Sequence, residues 1–552
     1  MSSEPSLSSP PAGPGGRAGW WLGVCCGLAV LALTFALVPD YWRVRGFPLD
    51  DAWIHAVYAR SVAQGEGLSY NPGVPATGET SPLWAIVLSV AHLGEASVGR
   101  AVLVSKLLGF LLHALTAAGI YVALRDAGRR WALSAALLVL LSPQLVAASI
   151  SGMEVPLATL AAVGFVLALQ SQRRGLYVLC GALGPLARPE VGLFVFLLPL
   201  VVRPQPGWKP VLRRWLEAGV GLVLGGGAWA AWNLYASGRP LPATFYAKVT
   251  TSKAPLLLSL LRSQWVAYGE LVPEVSWPWP VLLVLVALAI RAVLRRSSSS
   301  GPERLVAGLV AVALVFCSVS VALLRPARVD SFYAQRYVMP ALPFLLASLP
   351  VLLGGWLESR LAKHGPRLPM LVAAALPLVL ATGLAPRLSR LENDAHNIDD
   401  LQVQEGLFLS HASPGDTVWV LDAGASRFFG RAFVVDLIGL NTPQMLDGGA
   451  QAWLDAHPPR FLEWAKGWAA IKPDVLTGLR EAGTFQTSTA YTVNHNQDMA
   501  RRLLVECAPG SGGTYARKAS RWRYQCANGH SFPAAPPETP PAPPLARDAG
   551  EP

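Results

Sequence analysis

The chain has 552 residues, of which 52% are hydrophobic and only 14% charged, where a soluble protein carries about 25% charged residues. The deficit sits in long apolar runs, which excludes an ordinary soluble enzyme and predicts a polytopic α-helical membrane protein. The net charge of +11 does not point to nucleic acid, because Arg and Lys cluster between apolar runs as membrane anchors do, with no basic stripe carrying interleaved aromatics.

Residues 1–19 are rich in Ser, Pro and Gly and read as a disordered cytoplasmic N-terminus. The apolar run Trp20 to Val38 is long enough to span a bilayer, and no small-x-small cleavage site follows it, so it reads as a retained helix. Asp50 and Asp51 come next and open an amphipathic segment, Asp-Asp-Ala-Trp-Ile-His-Ala-Val-Tyr, in a first external loop over 39–100. Pro82 to Leu93 is apolar but too short to cross, so it reads as an interfacial or re-entrant helix of that loop.

Further spans are expected at 101–124, 131–150, 155–169, 176–187, 191–202, 216–236, 279–294, 304–324, 338–357 and 368–386, giving about eleven transmembrane helices in a domain over 20–386. Arg188-Pro189-Glu190 divides one apolar stretch and is costly at mid-bilayer, which places it at a membrane face. With a cytoplasmic N-terminus, every loop on that side is basic. These loops carry Arg125, Arg129 and Arg130; Arg173 and Arg174; Arg203, Lys209, Arg213 and Arg214; Arg295, Arg296 and Arg304; and Arg360, Lys363 and Arg367. The opposite face receives Asp50-Asp51, Ser151–Glu154, Arg188–Glu190, the loops 237–278 and 325–337, and everything after about residue 387.

That last part changes character. Residues 416–424 and 432–441 read as buried strands, Leu454 to Ile471 has helical spacing, and Pro473 to Thr477 suits another strand. An extracytoplasmic α/β domain over 387–532 is therefore expected, followed by a disordered Pro-rich tail, 533–552. Cys25, Cys26, Cys180 and Cys317 lie in apolar runs, whereas Cys507 and Cys526 lie in the exported part, where an oxidising compartment would let them pair. No Cys or His spacing reads as a zinc site. Whether the two aspartates hold a divalent cation is left open.

A carboxylate pair at a low-dielectric surface suits proton abstraction, while an Asp at that position is equally a helix cap. Arg188, Lys248 and Arg336 are external and membrane-proximal, which suits a phosphate ligand or interfacial snorkelling. Tyr246, Trp84 and Trp53 suit ring stacking or an aromatic belt. His55, one turn after Asp51, reads as a solvated helix-face residue or as an orienter of that carboxylate. Thr80 or Ser81 before Pro82 reads as a cap with Pro at the first helical position. Glu154 and Glu190 read as partners of the basic cluster, with a second role of assisting the acceptor.

Together these residues form an ordered series. Asp-Asp-Ala-x-Ile…Tyr-Ala-Arg…Gly-x-Gly-Leu-x-Tyr-Asn-Pro-Gly…Thr-Ser-Pro-Leu-Trp is followed by Ser151–Glu154, Ala187–Glu190, Pro242–Lys248, Arg336–Pro340 and Val435–Leu440. The series resembles the GT-C type glycosyltransferases, in the branch of the bacterial arabinofuranosyltransferases. At Val155 the usual Thr after the Glu is missing, which removes any hydroxyl role there.

The resemblance implies a bacterial inner-membrane transferase. It would use a polyprenyl-phosphate sugar, a pentofuranose in that branch, and a glycan or lipid acceptor. Asp50 and Asp51 would supply the base, and Arg188, Lys248 and Arg336 would hold the donor phosphate. His55, Tyr58, Thr80, Ser81, Trp84, Glu154, Glu190 and Tyr246 would line the substrate. The exported domain would steer a glycan. A transporter or lipid-linked-sugar flippase is the competing class, although such proteins place ionisable groups inside helices and show repeated halves. A non-catalytic envelope scaffold is a third.

Overall fold

Helices dominate the first four hundred residues and strands the remainder. The structure is a computed structural model, and it describes residues 15–94, 97–202, 207–248, 278–294, 301–324, 335–361, 367–446, 453, 456–465, 480–490, 492–493, 500–506, 513–518 and 521–526.

Four described helical segments are long and apolar enough to cross a membrane: Val98–Ala127, Gly301–Ala322, Met339–Glu358 and Arg367–Leu409. The expected span 131–150 is instead two helices, Arg129–Leu140 and Pro143–Ser149, bent by 55°. Pro143 cannot continue the first helix, and Ser142 caps the second by accepting from the Leu145 N–H at 3.5 Å. Counted as one broken span, the pair makes five. Shorter apolar helices stand at Gly23–Leu37, Val155–Ser171, Arg174–Ala187, Pro189–Val201 and Pro280–Leu294. Expected helix 216–236 belongs to a longer one, Lys209–Ser237.

A cavity of about 1000 Å³ is lined by Arg125, Asp126, Ser171, Val202, Gly207 and Arg304, gathering four of the basic connections at one end of the bundle. Asp51, Glu154, Arg188, Thr244 and Arg336 line a different cavity with the first loop.

That loop is built from helix α1 (Asp50–Ala63), a short antiparallel pair β1 (Ser69–Asn71) and β2 (Val74–Pro75), and helix α2 (Pro82–Leu88) continued by a 3₁₀ turn to His92. Pro82 at the first helical position starts α2. The Ser81 hydroxyl does not cap it; it donates to the Ala187 carbonyl at 2.6 Å and ties the loop to the bundle.

Beyond the bundle lies a five-stranded sheet of β3 (Thr417–Val420), β4 (Phe433–Asp436), β5 (Phe461–Ala465), β6 (Arg480–Gln486) and β7 (Arg501–Glu506), in the order β4-β3-β5-β7-β6. β3 is parallel to β4 and β5; β5–β7 and β6–β7 are antiparallel. Val418, Trp419, Val420, Val434 and Val435 are buried, the continuous apolar run that a parallel pair covered on both faces requires. Helical spacing over 454–471 mispredicts β5, where Phe461, Leu462 and Ala465 are buried as a central strand rather than as one helix face. A separate hairpin joins Gly513–Lys518 to Arg521–Cys526. Pro473 to Thr477 and Cys507 lie outside the described residues, and with them the pairing of Cys507 with Cys526.

The sheet docks directly on the first loop. The Asn71 side chain donates to the Val434 carbonyl at 2.9 Å and accepts from its N–H at 3.0 Å, so it pairs with the edge strand as a backbone would. Arg427 donates to the Tyr70 carbonyl at 3.1 Å, Arg60 to the Phe428 carbonyl at 2.8 Å, and the Tyr70 hydroxyl to the Ala423 carbonyl. Trp53 is fully buried against Phe47, Phe428 and Phe429, which seals the junction.

Candidate functional site

Asp50 and Asp51 occupy the first turn of α1, after Leu49 in extended backbone. Successive helical residues point about 100° apart, and the two carboxylates take different partners. Asp50 turns toward the sheet domain. Its oxygens accept from the backbone N–H groups of Gly424, at 2.6 Å, and Ala425, at 2.8 Å, at the start of the short helix α3 (Ala425–Phe429). It thus caps a helix 374 residues away, and does not cap its own. A Cβ on Gly424 would lie 2.0 Å from the Asp50 carbonyl oxygen, so only Gly fits there. Burial pushes the Asp50 carboxyl well up, the Asp422 charge adds to this, and the two N–H bonds and Arg502 oppose it.

Asp51 faces a cavity of about 190 Å³ whose wall includes Ile54, His55, Thr80, Glu154, Arg188, Glu190, Thr244, Phe245, Arg336 and Tyr337. Its carboxylate accepts from Arg336 at 2.5 Å. Arg336 is 3% exposed and Arg188 2%. The Tyr337 ring lies 4.9 Å from the Arg188 guanidinium carbon and 5.1 Å from that of Arg336, so one aromatic ring serves both cations.

The remaining charges form a chain. His55 Nδ1 meets both Glu79 oxygens at 2.9 Å, and its Nε2 meets Glu154 at 2.9 Å. Glu154 also accepts from Arg188, whose Nε reaches Glu190 at 3.3 Å. Burial works against a charged imidazole, yet Glu79 and Glu154 outweigh it and hold His55 up at about 10. Burial likewise raises the Glu154 carboxyl, but Arg188 and His55 pull it well below the usual carboxylate range. Burial opposes the Arg188 charge, while Glu190 and Glu154 raise its pKa. Gly152 makes the turn that delivers Glu154. Its φ is +79°, and a Cβ there would lie 2.6 Å from the Phe47 ring.

The structure therefore brings together Asp51, His55, Thr80, Glu154, Glu190, Arg188 and Arg336, and separates them from other expected residues. Asp50 is turned away. His55 is buried between two carboxylates rather than solvated. Tyr58 is fully buried, donating to Asn441 at 3.0 Å and accepting from the Gly78 N–H, so it serves the loop–sheet junction instead of a substrate. Ser81 and Trp84 are also fully buried; the Trp84 indole donates to the Gly152 carbonyl at 3.0 Å and packs as core. Tyr246 is half-buried under Arg239, outside the wall to which its neighbour Phe245 contributes. Lys248 ends the short helix Ala243–Lys248, and its side chain lies outside the described residues.

Glu79 and Tyr337 were not singled out from sequence. A carboxylate in the Gly-rich loop after a helix carrying a His, and an aromatic next to Arg336, were the available signals. Among the described residues no group of three or more His, Cys, Asp or Glu is placed to hold a metal ion, consistent with the divergence of Asp50 from Asp51.

A family model described as "Domain of unknown function (DUF8728)" matches residues 396–524. No curated protein matches the chain. Among solved structures, ArnT from Cupriavidus metallidurans in the apo state is similar with a TM-score of 0.51 at 16% identity, covering 89% of this chain and 100% of that one. ArnT bound to undecaprenyl phosphate gives a TM-score of 0.51 at 16% identity over 89% and 98%. An Archaeoglobus fulgidus oligosaccharyltransferase gives 0.45 at 12% identity over 80% and 69%. The ArnT likeness is one of fold: the chain has the polytopic GT-C fold, and the five-stranded sheet lies in the region of the unassigned domain.

Proposed function

We propose that this protein is a membrane glycosyltransferase that moves a sugar from a polyprenyl-phosphate donor to a glycan or lipid acceptor of the cell envelope. The observation that carries the reading is the single cavity where Asp51 faces Arg336 and Arg188 at the junction of bundle, first loop and sheet. Support for a lipid-phosphate donor comes from the shared fold with ArnT, a protein solved with undecaprenyl phosphate bound. The sugar is assigned as a pentofuranose on the motif series alone. The reading includes about eleven crossings, a bacterial inner-membrane location, a cytoplasmic N-terminus and an exported sheet domain.

The donor phosphate binds at Arg336, with Arg188 behind it and Lys248 as the third cation. In the ligand-free site Arg336 is paired with Asp51. A phosphate takes over the guanidinium fork and releases the carboxylate, so the base is unmasked only when donor is present. Arg188 is held by Glu154 and Glu190, and its orientation is fixed before substrate arrives.

Transfer is a single displacement with inversion. The acceptor oxygen attacks the anomeric carbon and its proton passes to Asp51. The bond from that carbon to the phosphate oxygen breaks, and polyprenyl phosphate leaves with the electron pair. A phosphate departs without protonation, so the cations suffice to stabilise it and no general acid is required.

Purified protein in nanodiscs, offered a panel of labelled polyprenyl-phosphate sugars with envelope glycan acceptors, is expected to consume one label and to lose that turnover in Asp51→Asn. Consumption of none by the wild type, or full turnover by the variant, refutes the reading.

A further inference from the structure

A second cavity, of about 80 Å³, shares Asp51 with the first. Apart from Leu49, Asp50 and Asp51, its wall comes from residues inside 396–524, the stretch matched by the domain of unknown function. We propose that this domain builds the acceptor site of the transferase, and that Gln402 and Arg502 bind a sugar hydroxyl of a glycan acceptor beside Asp51. The inference rests on the glycosyl-transfer reading and deepens it.

Two buried groups carry it. Gln402 is 5% exposed; its amide nitrogen donates to Asp422 at 2.9 Å, but its carbonyl oxygen, Oε1, has no hydrogen-bond partner among the described residues. Arg502 is 2% exposed; its terminal nitrogens donate to Asp422 and Glu463, and its Nε has no such partner. Buried polar atoms are ordinarily satisfied, and an exception needs an account. Both residues line this cavity, and each keeps one polar atom, an acceptor on Gln402 and a donor on Arg502, without a partner among the described residues. A hydroxyl donates one hydrogen bond and accepts others, so it answers both.

Other ligands fit worse. An anion would gain from Arg502 but meet Asp50, Asp51 and Asp422 in the same wall. A lipid chain would strand the polar groups, and the apolar side chains Ile54, Pro242, Phe245 and Leu440 line the other cavity instead. Since a water claims about 30 Å³ of liquid, the space admits the hydroxyl-bearing edge of a sugar. Asp51 lines both cavities, so an acceptor hydroxyl held at this wall can reach its carboxylate and attack the donor's anomeric carbon from the face opposite the phosphate.

The test uses full-length protein in nanodiscs, the labelled donor that the panel identifies, and octyl glycosides of several neutral sugars as acceptors. Gln402→Met is expected to raise the acceptor KM about tenfold, the value of one hydrogen bond, with kcat within about threefold of wild type. An unchanged acceptor KM overturns the proposal, as does octanol serving as well as the octyl glycosides. If wild type consumes no donor with any acceptor, the transfer reading itself falls, a result distinct from either. Should the variant fail size-exclusion as a folded species, a diazirine-bearing octyl glycoside is applied to wild type. Adducts on 397–402 or 492–502 support the site, and adducts confined elsewhere overturn it.

Discussion

Replacing His55 by Gln removes the one charge that binds Glu79 to Glu154. The imidazole is 4% exposed and lies 2.9 Å from both carboxylates, and its pKa rises from 6.5 to about 10. A group whose folded pKa is raised stabilises the fold fully below its unfolded value. It loses that contribution as pH climbs through the folded one. The window here runs from 6.5 to about 10. Within it the folded protein holds a proton that the unfolded chain has released, so stability falls with rising pH by up to about 1.4 kcal/mol per pH unit. Between pH 7 and 9 the wild type is therefore expected to lose about 2–3 kcal/mol from this residue. His55→Gln should lose that slope. It should also be less stable at pH 7 by about 3–5 kcal/mol, because buried Glu79 loses the imidazolium and buried Glu154 keeps only Arg188. Thermal unfolding in detergent, followed by intrinsic fluorescence at half-unit pH steps, measures both. A variant with the wild-type slope between pH 7 and 9, or with an unchanged midpoint at pH 7, would refute the assignment of an imidazolium to this position.

Four other outcomes follow from the same geometry. Asp51→Asn is expected to lower kcat by about 10²–10⁴-fold, the range for removing a general base, with the midpoint of unfolding kept within a few degrees; turnover assays and fluorescence separate the two. Arg336→Gln should raise the donor KM by about 10–100-fold, the equivalent of a charge-assisted hydrogen bond, as read by donor titration. Asp50→Ala removes the cap on Gly424 and Ala425 at a cost of about 1–2 kcal/mol, visible as faster hydrogen exchange over 424–429; unchanged exchange there counts against the cap. Gly424→Ala places a carbon 2.0 Å from the Asp50 carbonyl and should cost about 1–3 kcal/mol as overpacking does, again with faster exchange at the loop–sheet junction.

The parts legible in sequence are those set by local pattern. Apolar runs located helices such as those at 101–124, 304–324 and 338–357, and Gly-bounded runs located β3 and β4. Composition cannot show pairing across hundreds of residues. Phe461 to Ala465 looked helical because a strand covered on both faces has the same apolar density as a buried helix. His55 looked solvated because its partners, Glu79 and Glu154, stand 24 and 99 residues away. Trp84 and Trp53 carried the chemistry of a sugar platform, but burial, which no local signal reports, made them core. Arg188 and its partners Glu154 and Glu190 were legible as one charged cluster; the pairing of Arg336 with Asp51, 285 residues away, was not.

The acidic doublet itself shows why adjacency misleads. Two neighbouring carboxylates suggest a shared proton or a shared ion, yet on a helix they diverge by about 100°. Asp50 fixes the start of α3 in the sheet domain, whereas Asp51 enters the cavity that holds the cations. The contact with α3 and the pair with Arg336 therefore sit one residue apart on the same helical turn. Adjacent peptide units thus join the Asp51–Arg336 pair to the domain that lines the second cavity. On the proposed reading, the spacing between base and acceptor wall is set by a helix turn rather than by a flexible linker.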